Sequence, residues 1–309
     1  RTVDELWSGL DQLHFAHTLA DLDIAEICGK LTALRDRLRA GGFIASLTGQ
    51  AETLEKTLAC LETRWRDFGP PRSRNPAVQE RDSFASLRSG PAAAEVYASP
   101  SLQVGFAALA LPGAAFPRRE HAAEAVLSHQ LSTGALWEDI RMKGGAYGAF
   151  AYADGGERIF GFSTYRDPSP LRSLGAFTAI LRDRSGRFPA GDAAAKEDTA
   201  SIEDAASKED ALEKAIIGRY AKETPPRTAA EKGSIDFSRF LYGVDACHRE
   251  MKLRALIDIT EEEVAEAAWR LAESASSAAH SLTPVIIAGS GAAKEAAGRM
   301  GVEPRELPV

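Results

Sequence analysis

Arg141 and Tyr147 flank a glycine pair in the run Arg141-Met-Lys-Gly-Gly-Ala-Tyr-Gly148. The arginine brings a permanent planar fork of donors, and the tyrosine a phenol that donates or accepts. Gly144 and Gly145 remove side chains where the backbone bends, so a ligand or another chain can come close. Together these four residues could hold a carbonyl oxygen or a peptide backbone. The same residues also fit a plain helix-to-strand turn, with Arg141 acting only as a partner to the helix dipole.

Other candidate chemistry is thinner. His14 and His17 are three apart on one helical face, a spacing that can bind metal, but no third ligand completes the set. They read as packed, hydrogen-bonded residues. His121-Ala-Ala-Glu124-Ala125 lacks the second histidine of the inverted zinc motif, because Ala125 stands at that place. It reads as a helical surface with no metal. Cys28, Cys60 and Cys247 form no CxxC pair and suit buried structural thiols. Cys247 and His248 are adjacent, which does not make a nucleophile and base. No Gly-x-Ser-x-Gly elbow is present, and the glycines after Arg141 fit neither the P-loop nor the dinucleotide fingerprint.

The elements that must position these residues follow from periodicity. The chain has 309 residues, is 44% hydrophobic and 26% charged, and carries a formal net charge of -7. That composition is ordinary for globular domains and argues against a nucleic-acid or anionic-membrane partner. The longest apolar runs fall short of a membrane span. Helices are expected over residues 2 to 20, 23 to 40 and 51 to 68, with Phe43-Ile-Ala-Ser-Leu47 a short buried strand. Gly69 to Pro76 breaks all periodicity and reads as a linker. Strands follow at 93 to 99 and 102 to 111, then a helix from Arg119 to Leu131. The glycine bend leads into a hairpin turned at Asp154-Gly-Gly156. Further helices are expected after Pro170, over 192 to 222, 235 to 242, 244 to 257 and from Glu261. A strand at 284 to 288 and a helix to Met300 close the chain.

Residues 23 to 67 and 261 to 300 share one order: helix, short apolar strand, glycine turn, helix. The expected organisation is α+β, a sandwich of sheet and helices, with one partial and one complete copy. Residues 1–68 would close an upstream domain, 69–76 would link, and 77–309 would form a complete domain. The chain opens on Arg1 and reads as an excised piece, so any leader would be missing.

Three runs, Leu136-Trp-Glu-Asp-Ile-Arg-Met-Lys-Gly-Gly-Ala-Tyr-Gly148, Phe162-Ser-Thr-Tyr-Arg-Asp-Pro168 and Leu212-Glu-Lys-Ala-Ile-Ile-Gly218, carry a family resemblance. The chain resembles the C-terminal half of pitrilysin-family (insulinase-type) zinc metallopeptidases, in their presequence-protease branch. The resemblance implies sheet-and-helix domains of the pitrilysin and mitochondrial-processing-peptidase type, these being the third and fourth of four. It implies a hydrolase whose two halves close around unstructured peptides. Zinc would be bound by the N-terminal half, and this chain alone would be inactive. Arg141 and Tyr147 would contact the substrate backbone and the developing oxyanion, with Gly144 and Gly145 lying against the peptide. Acidic chamber walls would favour basic peptides. The implied partners are the N-terminal half of the same polypeptide and the peptide substrate. A non-catalytic peptide-binding or scaffold relative of the same family is the alternative. A cytoplasmic location is the expectation for a bacterial source.

Overall fold

The computed structural model describes residue 18 and residues 21–40, 44–65, 94–187, 202–276 and 284–307. In chain order come α1 (Ile24–Ala40), α2 (Ala51–Arg64), β1 (Glu95–Ala98), β2 (Phe106–Pro112) and α3 (Arg119–Thr133). A π-helical turn (Trp137–Lys143), β3 (Gly148–Asp154), β4 (Ile159–Tyr165) and α4 (Pro170–Ser185) follow. The remainder is α5 (Ile202–Glu223), α6 (Ala229–Tyr242), α7 (Ala246–Ile257), α8 (Glu261–Ser276), β5 (Val285–Ala288), α9 (Ser290–Met300) and β6 (Arg305–Glu306). The chain divides into two compact units, one of residues 1–82 and 226–245, the other of 83–225 and 246–309. The helix expected over 2 to 20, with His14 and His17, and the linker at 69–76 lie outside the described residues apart from Thr18.

In the first unit, α1 has the expected helical face, yet Ile24, Leu31, Leu34 and Leu38 on it are exposed. The strand expected over Phe43 to Leu47 is absent among the described residues: 44 to 47 are irregular and exposed. A short extended run needs a ladder partner, and no described strand lies in this unit to pair with it. The helix–strand–helix repeat therefore holds in its helices, while among the described residues only the second copy, α8–β5–α9, contains the strand. Helix α6 starts at Ala229, six residues before the expected Ile235. Thr228 and Glu231 form a reciprocal capping box that sets this start. All three cysteines are exposed, against the expectation of burial. Free cysteine favours interiors only as a tendency, and no spacing around these three assigned them a face.

The second unit is built on a six-stranded mixed sheet in the order β3-β4-β2-β5-β1-β6. β2 runs antiparallel to both β4 and β5, while β1 is parallel to β5 and β6. One sheet face carries Val96, Ala107, Leu109, Leu111, Phe160, Phe162 and Ile286, all buried against the helices. Phe162 stacks on Phe177 of α4 at 4.8 Å between ring centroids and meets Phe160 edge-on at 5.3 Å. The other face carries Phe106, Phe150, Tyr152 and Tyr165, which are half-buried or exposed. Alternation along each strand thus separates a packed face from an aromatic one. The two-residue β6 had no sequence signal; Leu307 N–H donates to the Ala98 carbonyl at 2.8 Å and fastens the chain there.

β3 is an edge strand, and its outward backbone is partly closed from within. Ala151 N–H donates to Ser132 Oγ at 2.9 Å, and that hydroxyl donates to the Ala151 carbonyl at 3.2 Å. One side chain of α3 thereby satisfies both backbone groups of Ala151 and removes one pairing position from the edge. Ser132→Ala should lower stability by about 1–2 kcal/mol, read as a fall in the urea midpoint. An unchanged midpoint would show that water replaces the hydroxyl without loss.

Candidate functional site

The bend begins where α3 ends. Leu136 and Ile140 are fully buried and anchor the seven-residue π-helical turn. Wider turns of this kind occur mostly as single insertions, frequently at functional sites. Arg172 of α4 donates to the Asp139 carboxylate at 3.1 Å and to its carbonyl at 3.3 Å, pinning the turn to the unit. Gly145 N–H closes onto the Arg141 carbonyl at 3.0 Å and Ala146 N–H onto that of Ile140 at 3.1 Å. Nothing in the residue pattern announces a π-helical turn over an ordinary helix end.

The glycines have a local reason beside the expected one. A Cβ at Gly144 would lie 2.5 Å from the Ile140 carbonyl oxygen and 2.7 Å from the Arg172 guanidinium. Gly145 has φ of +78°, a conformation that side-chain-bearing residues rarely adopt. At Gly144 it is the protein's own backbone that comes close; at Gly145 the need is conformational.

Arg141 and Tyr147 stand at the two ends of this pinned bend, both exposed, Tyr147 to 68%. Neither the guanidinium nor the phenol hydroxyl has a polar partner among the described residues. Their neighbours do: Lys143 pairs with Glu138 at 2.9 Å, and Arg172 with Asp139. The Tyr147 ring meets Tyr165 edge-on at 5.8 Å. The N–H groups from Gly144 to Tyr147 are thus tied within the fold, while Arg141 and Tyr147 carry exposed donors with no polar partner among the described residues.

No group of three or more His, Cys, Asp or Glu able to hold a metal occurs among the described residues. The His121-Ala-Ala-Glu124-Ala125 stretch is not the helical surface that its residues suggested. His121 is 2% exposed, and Glu124 and Ala125 are 0% exposed. Helix α3 packs against β3, α5, α7 and α8, and its alanines fit against neighbours on several sides, so no polar stripe was there to read. Glu124 accepts from Ala114 N–H at 2.8 Å and from Arg270 at 3.2 Å. Burial still leaves its pKa above the ordinary carboxylate value, against both of those donors. Burial, then the Lys252 and Arg219 cations, push the His121 pKa down to about 4. A wholly buried alanine at the place of the second histidine and a carboxylate already bonded do not fit zinc.

The fold is that of a known peptidase: the crystal structure of pitrilysin superposes with a TM-score of 0.52 at 15% identity, over 89% of this chain and 27% of that one. A family model described as the PreP C-terminal domain matches residues 118–289, more than half of the sequence and all of the bend, and the chain belongs to that family. "Presequence protease, mitochondrial" of Gibberella zeae is 28% identical over 268 residues, 85% of this chain and 24% of the relative. "Presequence protease 1, chloroplastic/mitochondrial" of Arabidopsis thaliana is 28% identical over 273 residues, 82% of this chain and 22% of the relative. The chain thus spans about a quarter of the length of the curated relatives it matches. These findings bear out the family and the fold class read from the three sequence runs. The cytoplasmic expectation gains no support, since the names of these relatives are mitochondrial or chloroplastic. No described helix is long and apolar enough to cross a membrane.

Proposed function

We propose that this chain is the substrate-binding C-terminal part of a zinc-dependent peptidase that degrades unstructured peptides. Arg141 and Tyr147 donate to the substrate backbone and to the oxygen that becomes negative as the scissile carbonyl is attacked. Gly144 and Gly145 shape the bend along which the peptide lies. The zinc belongs to the N-terminal half of the same polypeptide, which closes over this site. The observation that carries the reading is the pair of exposed, unpartnered donors on a bend whose backbone is otherwise tied. Donors held in place before the reaction stabilise charge that develops only in the transition state.

The test compares zinc content and cleavage of an unstructured peptide for the full-length protein and for this chain alone. The full-length protein is expected to hold zinc and cleave, and the isolated chain to do neither. Cleavage by the isolated chain would overturn the reading. A full-length protein with neither zinc nor cleavage would favour a peptide-binding scaffold.

A further inference from the structure

Tyr147 is 68% exposed, so burial alone does not hold its phenol in one orientation. Three contacts do. The first is to its backbone, where Tyr147 N–H is shared by the carbonyls of Tyr165 at 3.1 Å and Arg166 at 3.3 Å. Successive carbonyls of a regular strand point in opposite directions, so a single N–H cannot reach both. Arg166 breaks the strand with φ of +48°, an uncommon value for a residue with a side chain. The second contact is the edge-on packing of Tyr147 against Tyr165, with the rings 72° apart. The third backs the second: Tyr165 lies 5.7 Å from Phe106 of β2, and the Arg166 guanidinium sits 5.7 Å from its ring centroid.

The strand break is itself anchored. Asp167 exchanges both backbone hydrogen bonds with Gly105, at 2.7 and 2.8 Å, and its carboxylate accepts from Ser169 N–H at 2.8 Å. The segment from Tyr165 to Asp167 is therefore fixed to β2 and to the start of α4 at the point where it carries Tyr147. Tyr165 is 44% exposed, so it is no core residue, yet its ring is the wall against which the phenol rests.

We propose that Tyr165 is a positioning residue. Its ring, braced by Phe106 and Arg166, sets the direction in which Tyr147 presents its hydroxyl to the substrate. This rests on the role proposed above for Tyr147. The ring does the positioning, and the Tyr165 hydroxyl is not required.

The test uses the full-length protein and an unstructured peptide substrate. Tyr165→Phe is expected to keep kcat within about twofold of wild type, the usual scatter of independent substitutions. Tyr165→Leu is expected to lower kcat about ten- to a hundredfold with KM little changed, as misplacement of a reacting group does. In a Tyr147→Phe background the same Tyr165→Leu change should cost less than about twofold, since the hydroxyl it orients is gone. Phe106→Leu repeats the readout if Tyr165→Leu does not fold. Wild-type kcat in both leucine variants, or equal losses with and without the Tyr147 hydroxyl, would overturn the proposal. If Tyr147→Phe alone turns over at the wild-type rate, the role of Tyr147 falls, and this inference with it.

Discussion

On the role proposed above, Tyr147→Phe and Arg141→Ala in the full-length protein are each expected to lower peptide turnover about a hundred- to a thousandfold, the usual effect of deleting one oxyanion donor. The loss is expected mainly in kcat, because the proposed oxyanion contact forms only in the transition state, while loss of the proposed contacts to the substrate backbone should add a smaller rise in KM. Melting temperature should barely move. Both side chains are exposed and neither has a polar partner among the described residues. Substitutions of that kind usually change stability by no more than about 0.5 kcal/mol. Arg141→Lys should recover little, because an ammonium lacks the planar fork that can meet two acceptors at once. Unaltered kcat/KM in both deletion variants would remove these residues from the reaction.

Acid should destabilise the protein through His121 well before its carboxylates titrate. The ring is 2% exposed, and its Nδ1 has no hydrogen-bond partner among the described residues. Lys252 of α7, Arg219 and Glu223 of α5, and Asp154 of β3 are the charges around it. Burial and the two cations hold its folded pKa at about 4, below its ordinary 6.5. Above pH 6.5 the ring is neutral in both states and exerts no penalty. As pH falls toward 4 the unfolded chain takes up a proton that the fold refuses, so stability drops by about 2 kcal/mol at pH 5. Such a drop corresponds to roughly 5 °C in Tm for a unit of this size. His121→Leu removes the proton and should flatten the profile between pH 7 and 5. His129, also lowered by burial, contributes a smaller slope of the same sign that the variant retains. Glu124, whose pKa is raised, acts in the opposite direction near the carboxylate range. Parallel Tm-against-pH profiles for wild type and His121→Leu would refute this account.

Much of the second unit was legible because its signals are local. Asp154-Gly-Gly156 turns the hairpin where its residue types demand it, and Pro170 opens α4 at the first helical position. Thr260 and Glu263 cap α8 through paired bonds of 3.3 and 2.9 Å, a pattern readable from spacing alone. The bend was legible for the same reason: an arginine, two glycines and a tyrosine within one short run declare a bend that carries donors.

Apolar stripes read the inner faces of α4 and α8 correctly, with Phe177, Leu181, Val264 and Leu271 buried; what failed was burial where no such stripe exists or where no partner lies beside it. His121 and Glu124 sit on an alanine-rich helix wrapped by several neighbours, so the sequence carried no stripe to mark them as buried. Phe43 to Leu47 read as a strand by apolarity, yet its described residues, 44 to 47, form none, because a strand exists only where another strand lies beside it.

The sequence by itself determined the order of the elements, the family and the four residues of the bend, because each depends on neighbours within a few positions. Only the tertiary structure decided that the bend is a π-helical turn pinned by Arg172, and that Tyr165 and Phe106 stand behind Tyr147. Those contacts join a helix to the turn, and β2 and β4 to the residue just ahead of β3. Register and packing set them, and no local spacing encodes which side chains will meet.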